Sequence, residues 1–226
     1  MKRFFFLSLI LLQACNFMPD SPKELLLFDG ATLKGWHLYN APSASSIWFV
    51  EDGLLTCDPA HDGTYGDLIT DLAFEGDYTF SCEWKVGSGG NSGIFIHVLE
   101  SQAYAAPWMS AVEYQILDHS DSTNHNYNDP MRMSGALYGF QDLPEELPYH
   151  QNGWNTTMIQ VQGEVLTFFL NDVQTAKVDF ASRAWKAQVK ASKFAQYAGF
   201  GQSRKGAISL QAWKGRVQFR NLQITN

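Results

Sequence analysis

Hydrophobic and polar residues alternate with period two over residues 78–86 (Tyr-Thr-Phe-Ser-Cys-Glu-Trp-Lys-Val), which predicts a strand with one buried face. Residues 47–50 run into Glu51-Asp52-Gly53 and on to 54–57, a hairpin pattern with Asp-Gly at its turn. Gly87-Ser88-Gly89-Gly90-Asn91 reads as a turn before a strand over 93–98. The runs 112–117, 156–162, 165–170, 207–213 and 217–224 are strand-like in the same way, and helical spacing is confined to residues 182–190. Short strands separated by Gly, Asp, Asn and Ser turns predict an all-β sandwich or barrel. No repeat and no linker divides residues 25–226, so they read as one domain.

Parity along these strands sorts the polar residues. Glu113 and Gln115 share one face while Val112, Tyr114 and Ile116 take the other. A carboxylate and an amide in mid-strand are costly to bury unless paired or used; a half-exposed sheet would accept them simply as solvent-facing. Asp118 has the opposite parity but stands where the strand ends, so a turn would bring it round. His97 shares a face with Phe95, opposite Ile94, Ile96 and Val98. Gln211 and Trp213 lie opposite Ile208, Leu210 and Ala212; an indole there is either a platform for a sugar ring or a surface Trp beneath a loop. Val217 and Phe219 are odd and Leu222 and Ile224 even, a phase change that predicts a bulge at Arg220-Asn221.

Two stretches, 100–111 and 118–153, lack strand patterning. Loops longer than roughly 12–15 residues in a compact domain are functional or disordered more often than not. The second carries His119, His125, Tyr138 and several acids, which marks it as site-forming; His119 and His125 are candidate acid–base groups or metal ligands.

Composition narrows the function classes. Charged residues are 17% of the chain, against roughly 25% in an average soluble domain, and aromatic residues are 14%. That much apolar surface excludes a disordered chain. The net charge of −7 argues against nucleic acid as partner. The N-terminus differs from the rest: Met1-Lys2-Arg3 precedes an apolar run from Phe4 to Leu12, too short to span a bilayer but suited to a signal peptide. Leu12-Gln13-Ala14-Cys15 then has the form of a bacterial lipobox. Residues 1–14 are thus expected to be a lipoprotein signal and Cys15 the lipidated residue, with residues 15–24 as a tether. The membrane would be met only through that anchor, on the periplasmic side or outer membrane of a Gram-negative envelope. Cys57 and Cys82 remain, and the pattern leaves open a disulfide or two buried thiols.

Leu27-Phe28-Asp29-Gly30-Ala31-Thr32-Leu33-Lys34-Gly35-Trp36 resembles the opening of the 3-keto-disaccharide hydrolase domain family, formerly DUF1080. Collinear matches follow: Gly66-Asp67-Leu68-Ile69-Thr70, Asn91-Ser92-Gly93-Ile94-Phe95, Glu113-Tyr114-Gln115-Ile116-Leu117-Asp118, Gly135-Ala136-Leu137-Tyr138, Gly153-Trp154-Asn155, Ser192-Lys193-Phe194 and Phe219-Arg220-Asn221. The resemblance implies a concanavalin-like jelly-roll β-sandwich, one sheet concave and carrying the site. It also implies an exported enzyme cleaving glycosidic bonds of sugars oxidised at C3. A C3 ketone acidifies the C2–H, so the chemistry requires a base, a group that stabilises the enolate oxygen, and an acid for the leaving group. Glu113, Asp118 and His125 are the candidates for acid–base work. Gln115, His97, Tyr138, Lys193, Gln211 and Trp213 are candidates for holding the carbohydrate. A divalent metal would also stabilise an enolate, and the sequence names no ligand set for one.

The chain departs from the family in two places. Relatives tend to show His-Trp-Leu-Asn-Gly where this chain has Phe168-Phe169-Leu170-Asn171-Asp172. They tend to show Leu-Gln-Asp-His-Gly where it has Leu210-Gln211-Ala212-Trp213-Lys214. Those missing polar groups keep a second reading open, a non-catalytic glycan-binding module of the same fold.

Overall fold

The computed structural model describes residues 23–41 and 46–226. The signal segment, Cys15 and the tether as far as residue 22 lie outside the described residues. Among the described residues there are fourteen strands: β1 (Glu24–Leu26), β2 (Trp36–Leu38), β3 (Trp48–Glu51), β4 (Leu54–Cys57), β5 (Leu68–Thr70), β6 (Phe74–Glu75), β7 (Tyr78–Val86), β8 (Asn91–Val98), β9 (Val112–Leu117), β10 (Asn155–Gln162), β11 (Val165–Leu170), β12 (Val173–Asp179), β13 (Lys205–Leu210) and β14 (Val217–Thr225). One α-helix, α1 (Arg183–Ala191), follows β12 and is capped by Ser182, whose side chain accepts the Trp185 N–H. No helix among the described residues is long and apolar enough to cross a membrane.

The strands form two antiparallel sheets stacked as a jelly-roll sandwich. The larger has eight strands in the order β12-β11-β10-β7-β14-β4-β3, with β1 also on β14. The smaller has six in the order β2-β5-β13-β8-β9, with β6 on β13. The β3–β4 hairpin turns through Asp52 and Gly53, both at positive φ (51° and 76°), the type I′ geometry that Asp-Gly favours. The predicted bulge on β14 is present: its register against β7 shifts between Arg220 and Gln223, and Asn221 has φ 53°.

The core lies between the sheets. Phe80, Trp84, Ile159, Leu170 and Phe219 from the large sheet meet Ile94, Tyr114, Ile208 and Leu210 from the small one, all buried. Two of the aromatic polar atoms there find partners. Trp84 Nε1 donates to Thr157 Oγ1 (2.8 Å), and Tyr114 Oη donates to the Phe169 carbonyl (3.3 Å). Cys57 and Cys82 are both buried and free. Phe168, where relatives tend to carry His, is 1% exposed and packs edge-on against Tyr114 at 5.2 Å. That departure therefore changes the core.

Alternation on β9 sends Val112, Tyr114 and Ile116 into this core and leaves Glu113 and Gln115 on the outer face of the small sheet.

Candidate active site

The outer face of the small sheet carries a cavity of about 280 Å³. Its floor is cut from three neighbouring strands. Glu113 pairs across to Phe95 and Gln115 to Gly93, both on β8, and Gln211 donates its N–H to the Gly93 carbonyl (2.8 Å). Asn91, Glu113, Gln115 and Gln211 thus form one polar surface. The edge of β9 is covered by the segment 135–138. The Gly135 N–H donates to the Gln115 carbonyl, the Gln115 N–H to the Ala136 carbonyl, and the Tyr138 N–H to the Glu113 carbonyl. The family-like Gly-Ala-Leu-Tyr motif is thereby bridged to the edge of β9 at Leu137 and sets Tyr138 beside Glu113.

Glu113 sits deep in this cavity, above Gly93. A Cβ on residue 93 would lie 2.5 Å from the Glu113 Oε1 and 2.9 Å from its Cγ, so only glycine leaves room for the carboxylate. Removal from water, and then the charge of Asp67, push the Glu113 carboxyl up to about 8, against a smaller opposing pull from Lys193. A carboxyl titrating near neutrality in a cleft is suited to general acid–base work. Gln115 is 1% exposed; its Nε2 donates to Asn91 Oδ1 (3.0 Å), while its Oε1 is buried without a protein partner, an acceptor available to a hydroxyl.

Lys193 stands at the start of a short 3-10 turn (Lys193–Gln196), with its Nζ 4.7 Å from the Tyr138 ring centroid and 5.0 Å from that of Phe194. Burial lowers its pKa and the nearby Glu113 raises it, the net shift being downward. His125 and Asn126 reach the cavity from the loop 118–153, and Asn126 Oδ1 lies 3.5 Å from Tyr138 Oη, which donates to it. The loop 100–111 contributes Trp108, packed edge-on against Tyr197 at 5.2 Å. Trp213 lines the rim and is 57% exposed.

Of the nine residues expected at the site, seven come together here: Glu113, Gln115, His125, Tyr138, Lys193, Gln211 and Trp213. Two do not. Asp118 is 1% exposed and ties the loop to the sheet end. Its Oδ2 accepts the Gly89 N–H (2.7 Å), and its Oδ1 accepts from Ser120 N–H, Ser120 Oγ and Gln151 Nε2. Burial alone would raise this carboxyl, but those donors override it and hold it at about 2. The turn after β9 thus uses Asp118 as a latch and points it away from the cavity.

His97 is the second correction. It does not share the face of Phe95, because the β8–β13 register shifts between Ala207 and Ser209 and His97 itself takes φ 63°. Gly206 makes this bulge possible, since a Cβ there would fall 2.4 Å from the His97 carbonyl carbon. The His97 ring, 3% exposed, packs edge-on against Tyr78 at 6.0 Å, and burial, then the charge of Arg204, pull it down to about 4. His119, weighed as a ligand or acid–base group, stacks on Tyr149 at 3.7 Å and accepts the Ser134 N–H at Nε2. Burial lowers it to about 4 as well.

Trp108, Asn126, Gln196 and Tyr197 line the cavity without any pattern in the sequence to announce them. Asn91, Gly93 and Phe194 stand inside family-like motifs. Among the described residues no three His, Cys, Asp or Glu side chains gather into a set able to hold a metal. The cavity lining holds one carboxylate, Glu113, and one imidazole, His125, beside the amides of Asn91, Gln115, Asn126 and Gln211.

Comparison with known proteins agrees with this architecture. A curated 3-keto-disaccharide hydrolase from Bacteroides thetaiotaomicron is 29% identical over 233 residues, covering 91% of this chain and 79% of that protein. A crystal structure of a Parabacteroides distasonis protein assigned as a glycosyl hydrolase superposes with a TM-score of 0.80 at 25% identity, covering 89% of this chain and 93% of that one. A carbohydrate-binding module from Bacillus subtilis shares the fold alone, at TM-score 0.51 and 11% identity over 85% of this chain and 96% of its own. The 3-keto-alpha-glucoside-1,2-lyase-like domain model matches residues 24–225, nearly the whole described chain, and the protein belongs to that family.

Proposed function

We propose that this protein, a carbohydrate-active enzyme of the glycoside hydrolase-like kind, cleaves the glycosidic bond of 3-keto-glycosides. The observation that carries the reading is Glu113, a carboxyl set above Gly93 and raised to about 8 in a sugar-sized cavity. Its carboxylate takes the C2 proton, and the C–H electron pair becomes the C2=C3 bond of an enolate with the charge on O3. Lys193 and the Tyr138 hydroxyl stabilise that oxygen. The enolate then collapses: the C3 ketone re-forms, C1=C2 forms, and the C1–O bond breaks. The departing oxygen takes a proton from His125. Addition of water across C1=C2 converts the resulting unsaturated ketone into the free 3-keto sugar. The unpartnered Gln115 Oε1 and the neighbouring Asn91 and Gln211 amides orient the ring hydroxyls.

The test is a panel of 3-keto-disaccharides and their unoxidised parents. Sugar release from the ketones only, with kcat/KM falling as pH drops through about 8 because Glu113 takes up a proton, is expected. Equal release from the unoxidised parents, or none from any ketone, defeats the proposal. The lipobox pattern Leu12-Gln13-Ala14-Cys15 supports a second element of the reading, an exported and lipid-anchored protein. Cys15→Ala is expected to move the protein from the membrane to the soluble fraction; unchanged membrane association overturns the anchor.

A further inference from the structure

The cavity over Glu113, at about 280 Å³, stands at the foot of the roughly 300–1,000 Å³ range of ligand pockets. With the reacting ring of a disaccharide over Glu113, the second ring has to lie along the rest of the lining. What it meets there is set by the strands. Ser209 pairs with Phe95, and Phe95 with Glu113, so these three residues mark one row across the sheet. Trp213 stands four residues beyond Ser209, past the end of β13 and next to the Lys214–Asn91 bridge. Trp108, half-buried, packs onto the buried cluster of Phe95 and Ile69, which lie in that same row, and lines the cavity there. The cavity is therefore lined by a half-buried indole at the row and by a far more exposed one beyond it. Among its lining residues, Trp213 is the large apolar side chain left substantially exposed.

The backbone under Trp213 is held from both sides. The Tyr65 hydroxyl donates to the carbonyls of Ala212 (2.6 Å) and Trp213 (2.8 Å). Lys214 donates its N–H to the Asn91 carbonyl (3.1 Å), and its Nζ pairs with Asp121 at 3.2 Å. An exposed indole on a fixed backbone costs little further ordering when it is covered, and its flat face matches the C–H face of a pyranose.

We infer that Trp213 is the floor of a leaving-group subsite. The ketone-bearing ring sits over Glu113, and the ring departing from C1 stacks on the exposed indole at the rim of the cavity. This rests on the reaction proposed above and adds the substrate form: a glycoside whose leaving group is itself a ring, selected over one with a small alkyl group.

The experiment measures kcat and KM of the full-length protein for a 3-keto-disaccharide and for methyl 3-keto-glucoside, in wild type, Trp213→Ala and Trp213→Phe. Trp213→Ala is expected to raise KM for the disaccharide about tenfold, the scale of a lost aromatic contact, with kcat unchanged. Its kinetics on the methyl glycoside should stay within about twofold, the size of an ordinary surface change, and Trp213→Phe should keep most of the disaccharide affinity. An equal loss on both substrates, or no loss on the disaccharide, overturns the subsite. Should wild type turn over neither ketone, the proposed reaction fails, and calorimetry with an unoxidised disaccharide and its monosaccharide decides the platform separately. Preference for the disaccharide that disappears in Trp213→Ala upholds it. A wild type that binds neither sugar, or a preference that survives the substitution, overturns it.

Discussion

Glu83 and Glu113 hold corresponding places in the two sheets. Each lies between two buried residues of an alternating strand, Cys82 and Trp84 for Glu83 and Val112 and Tyr114 for Glu113, and each points to the outer face of its own sheet. Their surroundings differ completely. Glu83 is gripped by Arg220 through Nε (3.0 Å) and Nη2 (2.6 Å) and by Asn221 Nδ2 (2.5 Å), and the Arg220 guanidinium lies 4.1 Å over the Trp154 ring. Burial raises the Glu83 carboxyl, but these donors outweigh it and the net shift is downward. Glu113 has no such grip; burial and Asp67 carry it up to about 8 with only Lys193 opposing. One sheet spends its bulge on saturating a carboxylate, and the other spends a glycine on making space for one. Saturation gives a structural acid and space gives a reactive one.

The sharpest way to break this contrast is to neutralise each acid in turn. Glu113→Gln should lower kcat by about 10²–10⁴, the worth of a general base, whereas Glu83→Gln should leave turnover within about twofold. Stability should move in the opposite sense. Folded Glu113 holds its proton up to about 8 while the unfolded chain releases it near 4.5, so wild type loses stability as pH rises through that window. Glu113→Gln removes the penalty and should be more stable than wild type at pH 9 by something on the order of 3–5 kcal/mol, with little difference at pH 4. Glu83, shifted down, stabilises above its unfolded pKa and loses that contribution only as pH falls further; Glu83→Gln should cost about 1–3 kcal/mol at neutral pH through its charge-assisted bonds. Denaturant titrations of both variants across pH provide the check. A Glu113→Gln protein no more stable than wild type at pH 9 would mean that its carboxyl is not held up by burial.

The same pair marks how far the sequence could be read. Alternation alone placed Glu113 and Gln115 opposite the core residues of β9, and the parity change at Phe219 and Leu222 located the β14 bulge. Both signals are carried by the strand's own residues. The β8 bulge has no such signal, because Gly93 to Val98 alternates without interruption and the device that turns His97 is Gly206 on another strand. Asp118 was misplaced for a related reason: its latch is closed by Gly89, from the turn before β8, and by Gln151, from the far end of its own long loop. Strand β12 went unread because it begins directly after the two-residue turn of Asn171 and Asp172 (φ 45° and 68°) and its own residues, Val-Gln-Thr-Ala-Lys-Val-Asp, present no strong apolar face. Lys193 and Tyr138 were reachable through family-like motifs, while Trp108 and Tyr197 are single loop residues given meaning only by the cavity they close.

A finer probe of the contrast alters the space and leaves the acid in place. In Gly93→Ala the new Cβ would meet the Glu113 Oε1 at 2.5 Å, so the carboxylate must swing away. Displacement of a reacting group by about 1 Å can cost on the order of 10²-fold, and kcat/KM is expected to fall by about 10- to 100-fold. Gly66→Ala is the control, since its Cβ would meet only Leu38 Cδ2 at 3.9 Å, an ordinary contact. Glu113→Ala in the Gly93→Ala background separates collision from general strain. Alanine has no Cγ or carboxylate to meet the new methyl, so the two substitutions together should lose less than the product of their separate losses. Strictly multiplicative losses would show that Gly93 serves the backbone of β8 and not the carboxylate above it.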